Sequence, residues 1–179
     1  MGHLDIAGAF LLDTLIHELR LKKRHGTPYY LINKWRCTVE KQQKSAIKMI
    51  KRYRPVAMRD LIAEQLIEAN LALMGPGCRY VTNVACGHGG ENCFARELAQ
   101  AVSQKLCIEF IDVFERLPVK GTSHPKTNKN RPKMKLVQVP RAPILLIDDV
   151  ATSGSHIQEA AAKLKQHNCT VLPIAWCGP

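Results

Sequence analysis

The run "PILLIDD", residues 143–149, constrains the fold more than any other stretch of the chain. Its four consecutive apolar residues, Ile144 to Ile147, show no alternation, so a strand made from them must be covered on both faces. Helices on both sides of a sheet meet that demand, and the flanking sequence supplies them. From Cys78 onward the chain reads as strand "RYVTNVA", loop "CGHGGEN", helix "CFARELAQAVSQKL" and strand "CIEFIDVF". After a long polar interval come the short strand "KLVQV", then "PILLIDD", the helix "SHIQEAAAKLKQ" and a closing strand "CTVLPIAW". Strands separated by helix-length segments are not joined as hairpins, which predicts an α/β fold with a mostly parallel sheet flanked by helices.

Residues 1–77 read differently, as a helical N-terminal extension or hood in front of a core at 78–179, the two forming one compact unit. Leu11, Leu12, Leu15, Ile16 and Leu19 recur at helical spacing and predict a first helix that runs to the basic "RLKKRHG", where Gly26 and Pro28 stop it. "PYYLINKW" reads as either a short strand or an extended arm. "VEKQQKSAIKMIKRY" predicts a basic helix. Pro55 then suits the start of a longer one, "VAMRDLIAEQLIEANLAL", with Met58, Leu61, Ile62, Leu66 and Ile67 inward and "GPG" ending it.

Composition narrows the function classes. No apolar run approaches the roughly 18 residues of a membrane-spanning helix. "IAGAFLLDTLIHEL" is interrupted by Asp13 and lacks a preceding basic segment, so it reads as an amphipathic helix rather than an export signal. A soluble, cytoplasmic protein with no membrane partner is the expectation. The seven cysteines contain no C-x-x-C pair, which argues against a zinc knuckle and a disulfide framework. Most read as small core residues, with Cys86 set apart by the glycine loop it borders. No nucleophile elbow, P-loop lysine motif or metal-binding histidine pair points to a hydrolase.

Lys and Arg number 26 against 15 Asp and Glu, a formal net charge of +11, so an anionic partner is expected. Charge alone does not choose between nucleic acid, phosphorylated metabolites and acidic surfaces. Lys44, Lys48 and Lys51 share one helix face, with Arg52 and Arg54 nearby. That face reads either as a binding surface for DNA or RNA or as the side turned to water.

The most specific chemistry follows the central strand. Asp148 and Asp149 lie at its carboxyl end, where parallel sheets bind ligands, and a helix beginning near Ser155 points its first backbone N–H groups to the same place. Gly154 permits close backbone approach, and Thr152, Ser153 and Ser155 add hydroxyls; together these predict a phosphate cradle. A side chain at Gly154 is expected to intrude on that phosphate. Two carboxylates would repel a bare phosphate, so they must serve otherwise, by accepting hydrogen bonds from vicinal sugar hydroxyls or by reaching a cation through water. A sugar 5-phosphate meets both demands. Ordinary helix capping is the plain alternative, but a cap needs neither two acids nor the T-S-G-S run.

The segment "ILLIDDVATSGS" closely resembles the phosphoribosyl pyrophosphate (PRPP) signature of type I phosphoribosyltransferases. The resemblance implies that fold, with Asp148 and Asp149 holding the ribose hydroxyls. It also places the 5-phosphate on Ala151, Thr152, Ser153, Gly154 and Ser155. His156 stands where the family often has a small hydroxyl residue. Mg²⁺ would be carried by PRPP near Asp148 and Asp149, with no dedicated protein cage. By the same resemblance, Cys86, Gly87, His88, Gly89 and Gly90 fall where the family binds pyrophosphate. The polar 115–135 segment falls where it carries a mobile catalytic loop, with Lys120, Lys126, Lys129 and Arg131, and also Lys133, as candidate clamps.

"IKRYRPVAMRDLIAEQL", "GGEN" and "ARELAQAVSQKL" extend the similarity, from about Ile50 to Trp176, to the ComF-type branch associated with DNA uptake. The cysteine-rich zinc module of that branch is absent here, and its Arg-Gly-Phe-Asn-Gln is represented only by a loose "GGENC". The implied activity is transfer of phosphoribosyl from Mg²⁺-bound PRPP to an unidentified nitrogenous base with release of pyrophosphate, with a homodimer as a candidate assembly. The alternative is a non-catalytic PRPP-sensing or nucleic-acid-binding module of ComF type.

Overall fold

The computed structural model describes residues 3–23, 26–74, 77–85, 93–116 and 134–179. In chain order its elements are α1 (His3–Thr14), β1 (Ile16–Lys22), β2 (Tyr29–Lys34), α2 (Glu40–Tyr53), α3 (Val56–Met74), β3 (Tyr80–Asn83), α4 (Phe94–Leu106) and β4 (Glu109–Phe110). There follow β5 (Phe114–Arg116), β6 (Met134–Leu136), β7 (Ile144–Val150), α5 (Ser155–Gln166) and β8 (Val171–Gly178).

Six strands form one sheet in the order β1-β2-β8-β7-β3-β4, and β5 and β6 form a second, two-stranded one. Within the large sheet β2, β8, β7, β3 and β4 are mutually parallel, and β1 joins antiparallel at the edge. Ile144, Leu145, Leu146 and Ile147 of β7 are each 0% exposed, as an apolar run without alternation requires. Leu145 and Ile147 belong to the core shared with α1, α2, α3 and α4. Ile144 and Leu146 belong to the core on the other face, shared with α5, Val113 and Met134. The fold is thus α/β, a mostly parallel sheet with helices on both faces.

From β3 the chain crosses through α4 to β4, and from β7 it crosses through α5 to β8 on the opposite side. Right-handed crossovers that run in opposite directions must cover opposite faces, so the β3/β7 seam is the sheet's switch point. The carboxyl ends of β3 and β7 flank the crevice this creates.

Residues 16–22 are a strand, where helical spacing predicted the continuation of the first helix. α1 stops at Thr14, whose hydroxyl donates to the Phe10 carbonyl at 2.6 Å. The next residues, "IHELRLK", pair with β2 across a register irregularity between His17 and Arg20. The apolar positions that suggest a helix also alternate well enough for an edge strand, and pairing with β2 decides between the two. Leu11 and Leu15 are buried, but Leu12, Ile16 and Leu19 are exposed. The undecided "PYYLINKW" supplies β2, paired in parallel with β8. The N-terminal segment therefore adds two strands to the sheet besides its helices. A polar network ties α3 to β2 and β8: Gln65 accepts from Trp176 Nε1 at 2.8 Å and from Asn33 Nδ2 at 3.0 Å.

The run "CIEFIDVF" divides between the sheets. The Ile111 amide still bonds the Val81 carbonyl at 3.0 Å, and Arg96 holds Asp112 with two hydrogen bonds of 2.5 and 2.7 Å. Val113 then enters the α5-side core, and β5 pairs with β6, Arg116 opposite Met134. Cys78, Cys93, Cys169 and Cys177 are buried and Cys37 and Cys107 exposed, all as free thiols. Among the described residues no helix is long and apolar enough to cross a membrane.

Candidate functional site

At the carboxyl end of β7 the backbone stays in register with β8 through Asp148↔Ala175 and Val150↔Cys177. The Ala151 amide then donates to the Cys177 carbonyl at 3.0 Å. The strands lie so close here that a Cβ on Gly178 would stand 2.5 Å from the Ala151 carbonyl oxygen. This backbone approach fixes where the turn after the two acids begins. Ala151 is buried, Thr152 exposed and Ser153 half-buried, and Gly154 opens α5 as its N-cap with φ 71° and ψ 0°. A left-handed conformation at that point favours glycine over residues with a Cβ.

Gly154 supplies no side-chain cap. Ser153 partly replaces one: its hydroxyl accepts from the Ser155 amide at 3.3 Å and shares a 2.9 Å hydrogen bond with the Ser155 hydroxyl. The Gly154 carbonyl accepts the first intrahelical bond, from the Gln158 amide at 3.0 Å. A short loop that begins two residues after the carboxylates and bears the hydroxyls of Thr152 and Ser153 thus leads into the positive end of a twelve-residue helix whose first residue, Ser155, adds a third. Asp148 is half-buried and Asp149 is 6% exposed.

Two side chains at this site escape sequence reasoning. Lys51, in the last turn of α2, places its ammonium 2.8 Å from Asp149 Oδ2. Burial works to lower the Lys51 pKa, but the charge and hydrogen bond of Asp149, with Asp148 and Cys93 adding, outweigh it. The net shift is upward, and the ammonium stays protonated. Lys44, Lys48 and Lys51 are all exposed, as a row turned to water would be, but Lys51 also reaches back to the acid at the end of β7. Lys44 pairs with Glu40 at 2.5 Å and lies 4.7 Å from the Trp35 ring centre, so two of the three lysines are engaged within the chain. The buried arc of α2 is Gln43, Ala46, Ile47 and Ile50. Lys51 follows Ile47 by four residues and borders that arc, a signal available in the sequence.

The second is Tyr29, 5% exposed, at the start of β2. A Cβ built on Gly154 would lie 2.5 Å from Tyr29 Cε1 and 2.6 Å from its hydroxyl oxygen. The tyrosine ring therefore covers the glycine. A side chain at 154 meets Tyr29, which displaces the expectation that it would meet a phosphate. Nothing in the sequence signals this contact, because it depends on β2 entering the sheet beside β8.

The remaining candidate residues, Cys86, Gly87, His88, Gly89 and Gly90, and Lys120, Lys126, Lys129, Arg131 and Lys133, lie outside the described residues. In chain order the first group comes after β3, and the second between β5 and β6. Among the described residues no three His, Cys, Asp or Glu gather as a metal-holding group.

No family model matches the chain, and no curated protein matches its sequence. Among solved structures it is similar to a purine phosphoribosyltransferase from Pyrococcus horikoshii Ot3, with 17% identity and a TM-score of 0.43 over 67% of this chain and 70% of that one. It is similar also to a Helicobacter pylori xanthine-guanine-hypoxanthine phosphoribosyltransferase, with 15% identity and a TM-score of 0.45 over 66% and 80% of the two chains. An adenine phosphoribosyltransferase from Trypanosoma brucei, solved with AMP, pyrophosphate and ribose-5-phosphate, shows 12% identity and a TM-score of 0.43 over 97% and 79%. The likeness is low in identity and in superposition alike.

Proposed function

We propose that the chain binds PRPP with Mg²⁺ and transfers its phosphoribosyl group to a nitrogen nucleophile, forming a nitrogen–C1 bond as the bond from C1 to pyrophosphate breaks. The observation that carries this reading is the sequence of groups at the end of β7: two acids, a hydroxyl-bearing turn, and a left-handed Gly154 at the head of α5. Ribose offers two vicinal hydroxyls to carboxylates and a phosphate to a helix N-terminus, which is the order in which this chain presents its groups. Asp148 and Asp149 are the hard oxygen donors that suit Mg²⁺ through water, so the cation arrives in this reading on the substrate's pyrophosphate.

Melting the protein with and without Mg²⁺-PRPP tests the pocket. A ligand held only by the folded state at about 100 times its Kd adds about 2.7 kcal/mol, which for a chain of this size raises Tm by about 5–10 °C. No rise at millimolar PRPP, in protein shown to be folded, rejects the reading. Pyrophosphate release across a panel of nucleobases then separates a transferase from a ComF-like sensor, which would show the rise and release nothing. Nucleic-acid binding draws support from the net charge of +11 and from the exposed Lys48 and Arg52, whereas Lys44, Lys51 and Arg54 are each paired with an acid of the same chain.

A further inference from the structure

The last turn of α2 bridges the two sides of the β3/β7 seam. Lys51 reaches Asp149 at the end of β7 at 2.8 Å, and Arg54, the C-cap three residues on, reaches Glu97 in the first turn of α4 at 2.7 Å. α2 thus ends over the crevice, and the Lys51 ammonium stands on its α4 side while the Gly154 turn and α5 lie on the other face of the sheet. In the ribose ring C1 and C4, the carbon that carries the 5-phosphate arm, lie on opposite sides of the ring oxygen. A sugar whose hydroxyls lie on the acids and whose 5-phosphate lies at the head of α5 directs its C1 substituent away from α5, toward α4 and Lys51.

We infer that Lys51 is a substrate-binding residue that meets the anionic group on C1 of the bound sugar phosphate, the pyrophosphate in PRPP; this rests on the PRPP reading above. An ammonium suits the part. It carries three donors on a flexible stem, so it keeps Asp149 as one partner and offers a second proton to a phosphate oxygen. The side chain is 41% exposed while Asp149 is almost covered, so part of the ammonium remains accessible to a ligand. Its place at the end of a helix also suits a cation, because the helix dipole is negative there. As the C1–O bond breaks, the electron pair stays on the oxygen that leaves C1 with pyrophosphate, and the ammonium beside it offsets that charge without giving up a proton.

Calorimetric titration with PRPP and with ribose 5-phosphate, in one Mg²⁺ buffer, tests the assignment, because only PRPP has the anionic group on C1. Lys51→Met is expected to weaken PRPP by about tenfold or more while ribose 5-phosphate changes by less than about threefold. Lys51→Arg, which retains the charge, is expected to restore part of the preference. Should Lys51→Met fail to fold, Lys51→Gln removes the charge while leaving Asp149 a donor. An unchanged preference for PRPP over ribose 5-phosphate, whether both affinities fall together or neither moves, reduces Lys51 to a support for Asp149 and overturns the inference with the PRPP reading intact. Wild-type protein that binds neither ligand overturns the PRPP reading itself and the inference with it.

Discussion

Asp149→Asn is expected to weaken PRPP binding by about 10- to 100-fold and to lower Tm by several degrees. Asparagine keeps the shape of the side chain but loses a charged acceptor. Hydrogen bonds to charged groups contribute about 1.5–3 kcal/mol, which sets the size of the binding loss. The stability loss has a separate cause. With a neutral side chain at 149, the Lys51 ammonium 2.8 Å away keeps its burial cost without its countercharge. Breaking a fully buried pair costs about 3–5 kcal/mol, and because Lys51 is 41% exposed the loss is discounted to about 1–2 kcal/mol. Asp148→Asn, at a half-buried position, is expected to weaken PRPP by a similar factor. Titration of both variants, with melting curves beside them, checks each part. Undiminished PRPP affinity in both would remove the acids from the site.

The central strand is legible in the sequence because its pattern admits few solutions. Four apolar residues without alternation must be buried on both faces, and the helices before and after them supply the two layers. The head of α5 is legible for a similar reason, since a glycine between hydroxyl residues after a strand has few uses. The strand β1 is not. Leu15, Ile16 and Leu19 continue the helical spacing while Leu15, Leu19 and Leu21 fit alternation, and the partner that selects one of the two, β2, is itself ambiguous between strand and arm. Lys51 misleads because a lysine on a basic helix is usually turned to water, and its acid lies 98 residues further along the chain, at Asp149. Helical spacing orders residues within one element, whereas the Lys51–Asp149 pair depends on how α2 crosses the sheet, which no local pattern encodes. Tyr29 belongs to the same class of contact.

Gly154→Val is expected to damage the fold before it damages ligand binding, with a loss of about 3–5 kcal/mol or failure to accumulate as folded protein. Two costs combine. At φ 71° the backbone is in a region where a β-branched residue is strained by about 1–2 kcal/mol. The new Cβ would also stand 2.5 Å from Tyr29 Cε1, 2.6 Å from its hydroxyl oxygen and 2.8 Å from Cζ, so the ring must move. It has little room to do so. Tyr29 is 5% exposed and packs in the α5-side core with Leu31, Ala151 and Ile157. A cycle of Gly154→Ala and Tyr29→Ala separates the two costs, because removing the ring leaves only the backbone strain. Gly154→Ala is expected to be strongly destabilising in the natural chain and to cost only about 1 kcal/mol when Tyr29 is already alanine. Thermal or urea melts of the four proteins measure the coupling. Additive losses would show that Tyr29 does not hold the Gly154 turn; a coupling of about 1 kcal/mol or more would show that β2 fixes the head of α5, and that the cradle depends on the strand beside it as well as on its own residues.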